Sequence, residues 1–138
     1  MTVSLLVITH NQIGQELIDA ATSILGCDEL DINFISVSAH LKPQDLGSYA
    51  DQIKNTIATL DIAGSNSNGN SNGILILTDI CGATPYNLAK YFATDKNINI
   101  VSGINLPMLL RVLNYPNQSL QALSVTAIEG AHKGVLQD

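Results

Sequence analysis

Residues 3–10 read VSLLVITH, and residues 74–79 read ILILTD. Each is a short β-rich run, apolar at consecutive positions, and each ends on a residue that can do chemistry. A strand that is apolar on both faces is covered on both faces, which is the signature of a parallel sheet between helices. The intervening sequence supplies the helices. Ile13, Leu17, Ala20, Ala21, Ile24 and Leu25 recur at helical spacing, and Gly26 ends that run. Ile32 to Val37 reads as a second strand. Beyond Pro43, the residues Leu46, Ala50, Ile53, Ile57 and Leu60 fall on one helical stripe. After the third strand, Ile74 to Leu77, the spacing of Leu88, Ala89 and Phe92 predicts a helix with Pro85 as its first residue and Thr84 as its N-cap. A fourth strand follows at Ile98 to Val101, then a short helix through Leu110 and Leu113, and a last helix over about Leu120 to Ala131. Gly134-Val135-Leu136 reads as a short terminal edge strand.

Strands alternating with helices give an α/β fold with a mainly parallel, doubly wound sheet and right-handed crossovers. At 138 residues the expected form is one flavodoxin-like domain spanning 1–138, with strand order 2-1-3-4 and the short C-terminal edge strand. Residues 64–73, GSNSNGNSNG, contain only Gly, Ser and Asn, which predicts a flexible loop inside that domain.

Composition excludes several classes. Twelve acids face six bases, for a net charge of −6, and the bases Lys42, Lys54, Lys90, Lys96, Arg111 and Lys133 are scattered. No basic stripe exists for a nucleic acid to bind. No apolar run approaches the roughly 18 residues of a membrane span. The opening MTVSLLVITHNQ lacks the basic start and small-residue cleavage site of a signal peptide. Two cysteines, Cys27 and Cys81, are too few for a disulfide framework and lack metal-ligand spacing. The expectation is a reduced, cytoplasmic protein that needs neither metal nor cofactor.

In a doubly wound sheet the functional crevice lies at the carboxyl ends of the strands, where the strand order reverses between strands 1 and 3. That rule picks out His10 after strand 1, Asp79 after strand 3 and Asn105 after strand 4. Asp79 accepting a proton from Nδ1 of His10 would fix the tautomer and leave Nε2 as a nucleophile. The plainer alternative is a loop histidine beside a turn-forming aspartate. The segment Ile80-Cys81-Gly82-Ala83-Thr84 then leads into a Thr-Pro helix start, where free N–H groups and the helix dipole suit an anion. It carries neither Lys nor Arg, so the amides would do the binding. It matches neither the Walker signature nor the dinucleotide fingerprint. Elsewhere the structural reading is preferred. His40 and His132 read as solvated, Cys81 as a small packed side chain and Cys27 as structural. Tyr86, Tyr91 and Phe92 read as helix packing, and Asp28, Glu29 and Asp31 as a solvated turn.

Four stretches together resemble a known family: VSLLVITH at 3–10, ILG at 24–26, ILILTDICGATPYNLA at 74–89 and VSGINLPMLL at 101–110. They look like the enzyme IIA component of the mannose family of the bacterial sugar phosphotransferase system. The resemblance implies a phosphoryl carrier whose histidine, His10 here, takes phosphate from HPr and passes it to a IIB component. It places the family's ring-binding aspartate on Asp79 and its hydroxyl residue before proline on Thr84. It also implies a homodimer that exchanges its last strand, here Gly134 to Leu136. The chain departs from the family pattern at three positions. Asn11 stands where Gly is common after the histidine, Ala83 stands in a usual Gly-Gly pair, and Ile80 removes a hydroxyl after the aspartate. Three other readings are a free-standing regulatory IIA, since no IIB domain follows before Asp138, the phosphotransfer subunit of a dihydroxyacetone kinase, and a non-catalytic binding module on the same fold.

Overall fold

The computed structural model describes residues 2–27, 30–64, 72–94 and 97–138. Four strands form its sheet: β1 (Ser4–His10), β2 (Ile32–Val37), β3 (Ile74–Thr78) and β4 (Ile98–Ser102). They lie in the order β2-β1-β3-β4 and every pairing is parallel. The chain moves outward from β1 to β2, then returns to build on the other side, so the order reverses between β1 and β3.

The helices are α1 (Ile13–Leu25), α2 (Leu46–Ala63), α3 (Thr84–Phe92), α4 (Leu106–Leu113) and α5 (Leu120–Lys133), with a 3-10 turn at Pro43–Asp45. They cover both faces of the sheet. Leu5, Val7, Leu75, Leu77 and Val101 pack against Ile18 and Ala21 of α1, Met108, Leu109 and Val112 of α4, and Leu123 and Ala127 of α5. The alternate residues Leu6, Ile8, Ile35, Val37, Ile74 and Ile76 pack against Ile53, Ile57 and Leu60 of α2 and Ala89 of α3. The two-residue period of a strand thus divides consecutive apolar residues between two cores. Leu6, Val7, Ile8 and residues 74–77 are all at most 1% exposed. Burying one such side chain is worth about 1.5–3 kcal/mol, so β1 and β3 form a rigid centre.

Local signals set the boundaries. Gly26 closes α1 at φ 68°, in the left-handed region that glycine adopts without penalty. Asn105 and Ser119 accept the N–H groups of Met108 and Ala122, capping α4 and α5. Two expectations are corrected. Thr84 is the first residue of α3, not its cap: Ala83 holds the cap position and no side chain bonds there. Gly134-Val135-Leu136 forms no strand. The N–H groups of Gly134 and Val135 turn back onto the carbonyls of Gly130 and His132, which closes α5. Val135 and Leu136 are 78% and 84% exposed. Of the Gly/Ser/Asn loop and the acidic turn, residues 65–71, Asp28 and Glu29 lie outside the described residues.

Candidate functional site

Register brings His10 and Asp79 together. Ile8 of β1 pairs with Thr78 of β3, so the chain leaves both strands at the same level of the rim. Asp79 Oδ2 accepts the backbone N–H of His10 at 2.9 Å and lies 2.6 Å from Nδ1 of its ring. Asp79 Oδ1 accepts the N–H of Ile80 at 2.9 Å. The aspartate is itself anchored. Its carbonyl accepts the N–H of Gly103 and the carbonyl of Thr78 accepts that of Ile104, both from the exit of β4.

The electrostatics favour an ionised carboxylate. Burial pulls the Asp79 carboxyl upward. The backbone N–H of His10, the His10 ring and the N–H of Ile80 outweigh that effect and hold it below its usual value. An ionised carboxylate only accepts hydrogen bonds, so Nδ1 is the donor and the lone pair of the ring lies on Nε2. The short charge-assisted contact belongs to the strong class. The Asp79 side chain is 13% exposed and that of His10 26%, so the ring keeps an open edge while its carboxylate partner is mostly covered.

The loop after Asp79 supplies donors. The main-chain N–H groups of Cys81, Gly82, Ala83 and Thr84 make no hydrogen bond among the described residues. Gly82 turns the chain at φ 85°, where an L-residue would be strained. Its carbonyl is held by the side-chain amide of Asn87, which ties the loop to α3 at 3.0 Å. The arrangement is a run of unpaired N–H groups entering a helix N-terminus, beside a histidine with one free nitrogen.

Of the other residues read from the sequence, Asn105 lies past β4 but is used structurally. It caps α4 and donates to the carbonyl of Ala131. His40 and His132 are exposed, as expected. Cys81 and Cys27 are both exposed rather than packed, because each lies in a turn outside the two cores. Tyr91 is 74% exposed and makes a T-shaped ring contact with Phe92, which packs on the α2 side. The Tyr86 phenol is held above its usual value, first by its hydrogen bond with Cys81 and then by the charge there.

Sequence reading missed the bonds that hold the end of β1. Thr9 Oγ1 accepts the N–H of Gly14 at 2.9 Å and so satisfies the first turn of α1 from outside the helix. Thr78 Oγ1, at the same rim, is buried without a partner. Asn11 takes φ 48°, and its side-chain oxygen accepts the N–H of Ala39. The tolerance of Asn for left-handed φ was the available signal.

An all-parallel 2-1-3-4 sheet, covered on both faces, with a carboxylate-bound histidine and a run of unpaired amides at its reversal point, defines an α/β protein built for group transfer through the histidine or for anion binding. Comparison with known proteins gives the family. Residues 4–128 match the family model described as PTS system fructose IIA component, EIIA-man, and the chain belongs to that family. It is 25% identical over 138 residues to the mannose-specific EIIAB component of Escherichia coli K12, covering 98% of this chain and 39% of that protein. It therefore spans about two fifths of that relative's length. A shorter stretch of 42 residues is 50% identical to the fructose-specific EIIA component of Bacillus subtilis, covering 30% of this chain and 29% of the relative. Among solved structures, the mannose/sorbose-specific IIA subunit of Enterococcus faecalis superposes with a TM-score of 0.77 at 21% identity, covering 100% of this chain and 96% of that one. The IIA protein of the fucose utilisation operon of Streptococcus pneumoniae gives 0.74 at 17%, covering 99% and 93%. These two likenesses confirm the fold. No helix among the described residues is long and apolar enough to cross a membrane.

Proposed function

We propose that the chain is a phosphoryl carrier of the sugar phosphotransferase system, accepting phosphate from phosphorylated HPr on His10 and passing it to a IIB component. Family membership supports the class of reaction. The single observation that carries the residue assignment is the 2.6 Å contact between Nδ1 of His10 and Asp79. It holds one ring nitrogen and leaves the other to react.

In the first step the lone pair of Nε2 attacks the phosphorus of the donor's phosphohistidine. The donor P–N bond breaks and its electron pair returns to the donor ring. A new P–N bond forms at Nε2, and positive charge develops on the His10 ring. Asp79 stabilises that charge through Nδ1–H. The unpaired amides of Cys81, Gly82, Ala83 and Thr84 receive the equatorial oxygens; the Ile80 N–H, expected from the sequence to join them, is already held by Asp79 Oδ1. In the second step the same geometry runs in reverse, with the IIB nucleophile attacking. A relay must release its cargo, and a loop without Lys or Arg binds the phosphoryl group by amides alone, which keeps it from being trapped.

The exposed, apolar Val135 and Leu136 support a homodimer in which this segment pairs with a second copy. Sedimentation of the chain truncated before Val135 tests that part: it predicts a monomer. The carrier assignment is tested by incubation with phosphorylated HPr. Acid-labile label is expected on the wild type and absent from His10→Ala; label on the variant would overturn the assignment.

A further inference from the structure

We propose that Asn11 is a positioning residue for His10, locking the peptide that follows the histidine to the exit of β2 so that Nε2 faces the phosphoryl donor in a fixed direction. The proposal rests on His10 being the phosphoryl acceptor.

Asn11 has a backbone φ of 48°, the one positive value among the described residues other than glycine. Glycine would adopt that conformation without penalty. Asparagine tolerates it, but at some cost. Asn11 is exposed, so burial does not explain the choice. Its hydrogen bonds do. Its N–H donates to the carbonyl of Val37 at 2.8 Å. Its carbonyl accepts from Ser36 Oγ at 2.6 Å. Its side-chain oxygen accepts the N–H of Ala39 at 3.0 Å. Glycine could make the first two of these bonds and could not make the third.

That third bond reaches a turn that is itself tied down. The N–H of Ser38 donates to the hydroxyl of Tyr49 in α2 at 3.4 Å. The carboxamide of Asn11 therefore links the acceptor residue to α2 through the 38–39 turn. On its other side His10 is held by Asp79, through both its own N–H and Nδ1. The histidine thus sits between two clamps, one from β3 and one from β2. Asp79 fixes which nitrogen reacts, and Asn11 fixes where the backbone carrying it points. Loosening the second clamp leaves the tautomer intact and costs alignment, which lowers the rate of transfer and not the affinity for the donor.

Asn11→Gly removes the carboxamide and keeps the backbone conformation. With phosphorylated HPr as donor, the maximal rate of His10 labelling should fall about fivefold, the effect of one hydrogen bond's worth of misalignment. KM for HPr should stay within about twofold. Ser36→Ala, which removes the donor to the Asn11 carbonyl, should lower the maximal rate about two- to threefold in the same way and carries the test if Asn11→Gly does not fold. The double variant should be no slower than the product of the two and closer to Asn11→Gly alone, since both act on one clamp. Wild-type maximal rates in the folded variants, or a raised KM with unchanged maximal rate, would overturn the proposal. A wild type that takes no label on His10 would instead overturn the carrier assignment beneath it.

Discussion

Replacing Asp79 by Asn separates the charge of this side chain from its shape. Asp79 receives three donors: the N–H and the ring Nδ1–H of His10 on Oδ2, and the N–H of Ile80 on Oδ1. An amide offers one oxygen and one NH2 group in the same positions. With its oxygen facing His10, the NH2 confronts the Ile80 N–H, two donors with no acceptor. With the NH2 facing His10, it opposes the backbone N–H and forces Nδ1 to become an acceptor. The ring proton then moves to Nε2, and the nitrogen proposed to attack phosphorus is blocked. Both arrangements also remove the negative charge that balances the developing imidazolium. Hydrogen bonds to a charged partner are worth about 1.5–3 kcal/mol each. Losing one or two therefore predicts a stability loss of about 1.5–6 kcal/mol. The wrong tautomer of a catalytic histidine costs about 10⁴ in rate in the serine protease triad; the predicted loss here is about 10²–10⁴. Rapid-quench labelling from phosphorylated HPr measures the rate, and urea denaturation the stability. Labelling of Asp79→Asn within a few-fold of wild type would refute the role given to the carboxylate.

Three further outcomes follow from the same geometry. The folded pKa of Asp79 lies below its unfolded value, so its contribution to stability is complete above about pH 4 and is lost as pH falls through the folded value; the stability gap between wild type and Asp79→Asn should close on acidification, as followed by urea midpoints at each pH. Gly14→Ala places a Cβ 2.5 Å from the Phe34 ring and 2.6 Å from Val7 between α1 and the sheet, so it should cost about 1–3 kcal/mol in the same assay. Thr78→Val removes a buried hydroxyl that has no partner, and is expected to raise the thermal midpoint, by about 1 kcal/mol of stability, where a loss would show that the hydroxyl is satisfied in solution.

Much of the architecture was legible because its causes are local and periodic. Runs apolar at consecutive positions, such as 5–8 and 74–77, are buried on both faces between two layers of helices. Once the sheet is parallel, the reversal rule places His10 and Asp79 on one rim before any contact is known. The misread positions depend on long-range partners. Gly134 to Leu136 has a strand's composition, but a strand exists only where a neighbour offers a ladder, and here the preceding helix takes the first hydrogen bonds. Thr84 looked like a cap because it precedes proline, yet the chain already enters the helix at that residue and Ala83 holds the cap position. Cys81 was expected to pack because cysteine usually does, whereas the loop between Asp79 and α3 stands outside both cores. Thr9 and Asn11 act through Gly14 and Ala39, five and 28 residues away, and no spacing rule links those pairs.

In the proposed carrier, Asp79 occupies Nδ1 of His10 and leaves Nε2 to carry the phosphoryl group. Two-dimensional NMR of the phosphorylated protein with ¹⁵N-labelled histidine identifies the bonded nitrogen directly through its coupling to phosphorus. Phosphorus is expected on Nε2 of His10, with the proton still on Nδ1. Phosphorus on Nδ1, or on His40 or His132, would contradict it.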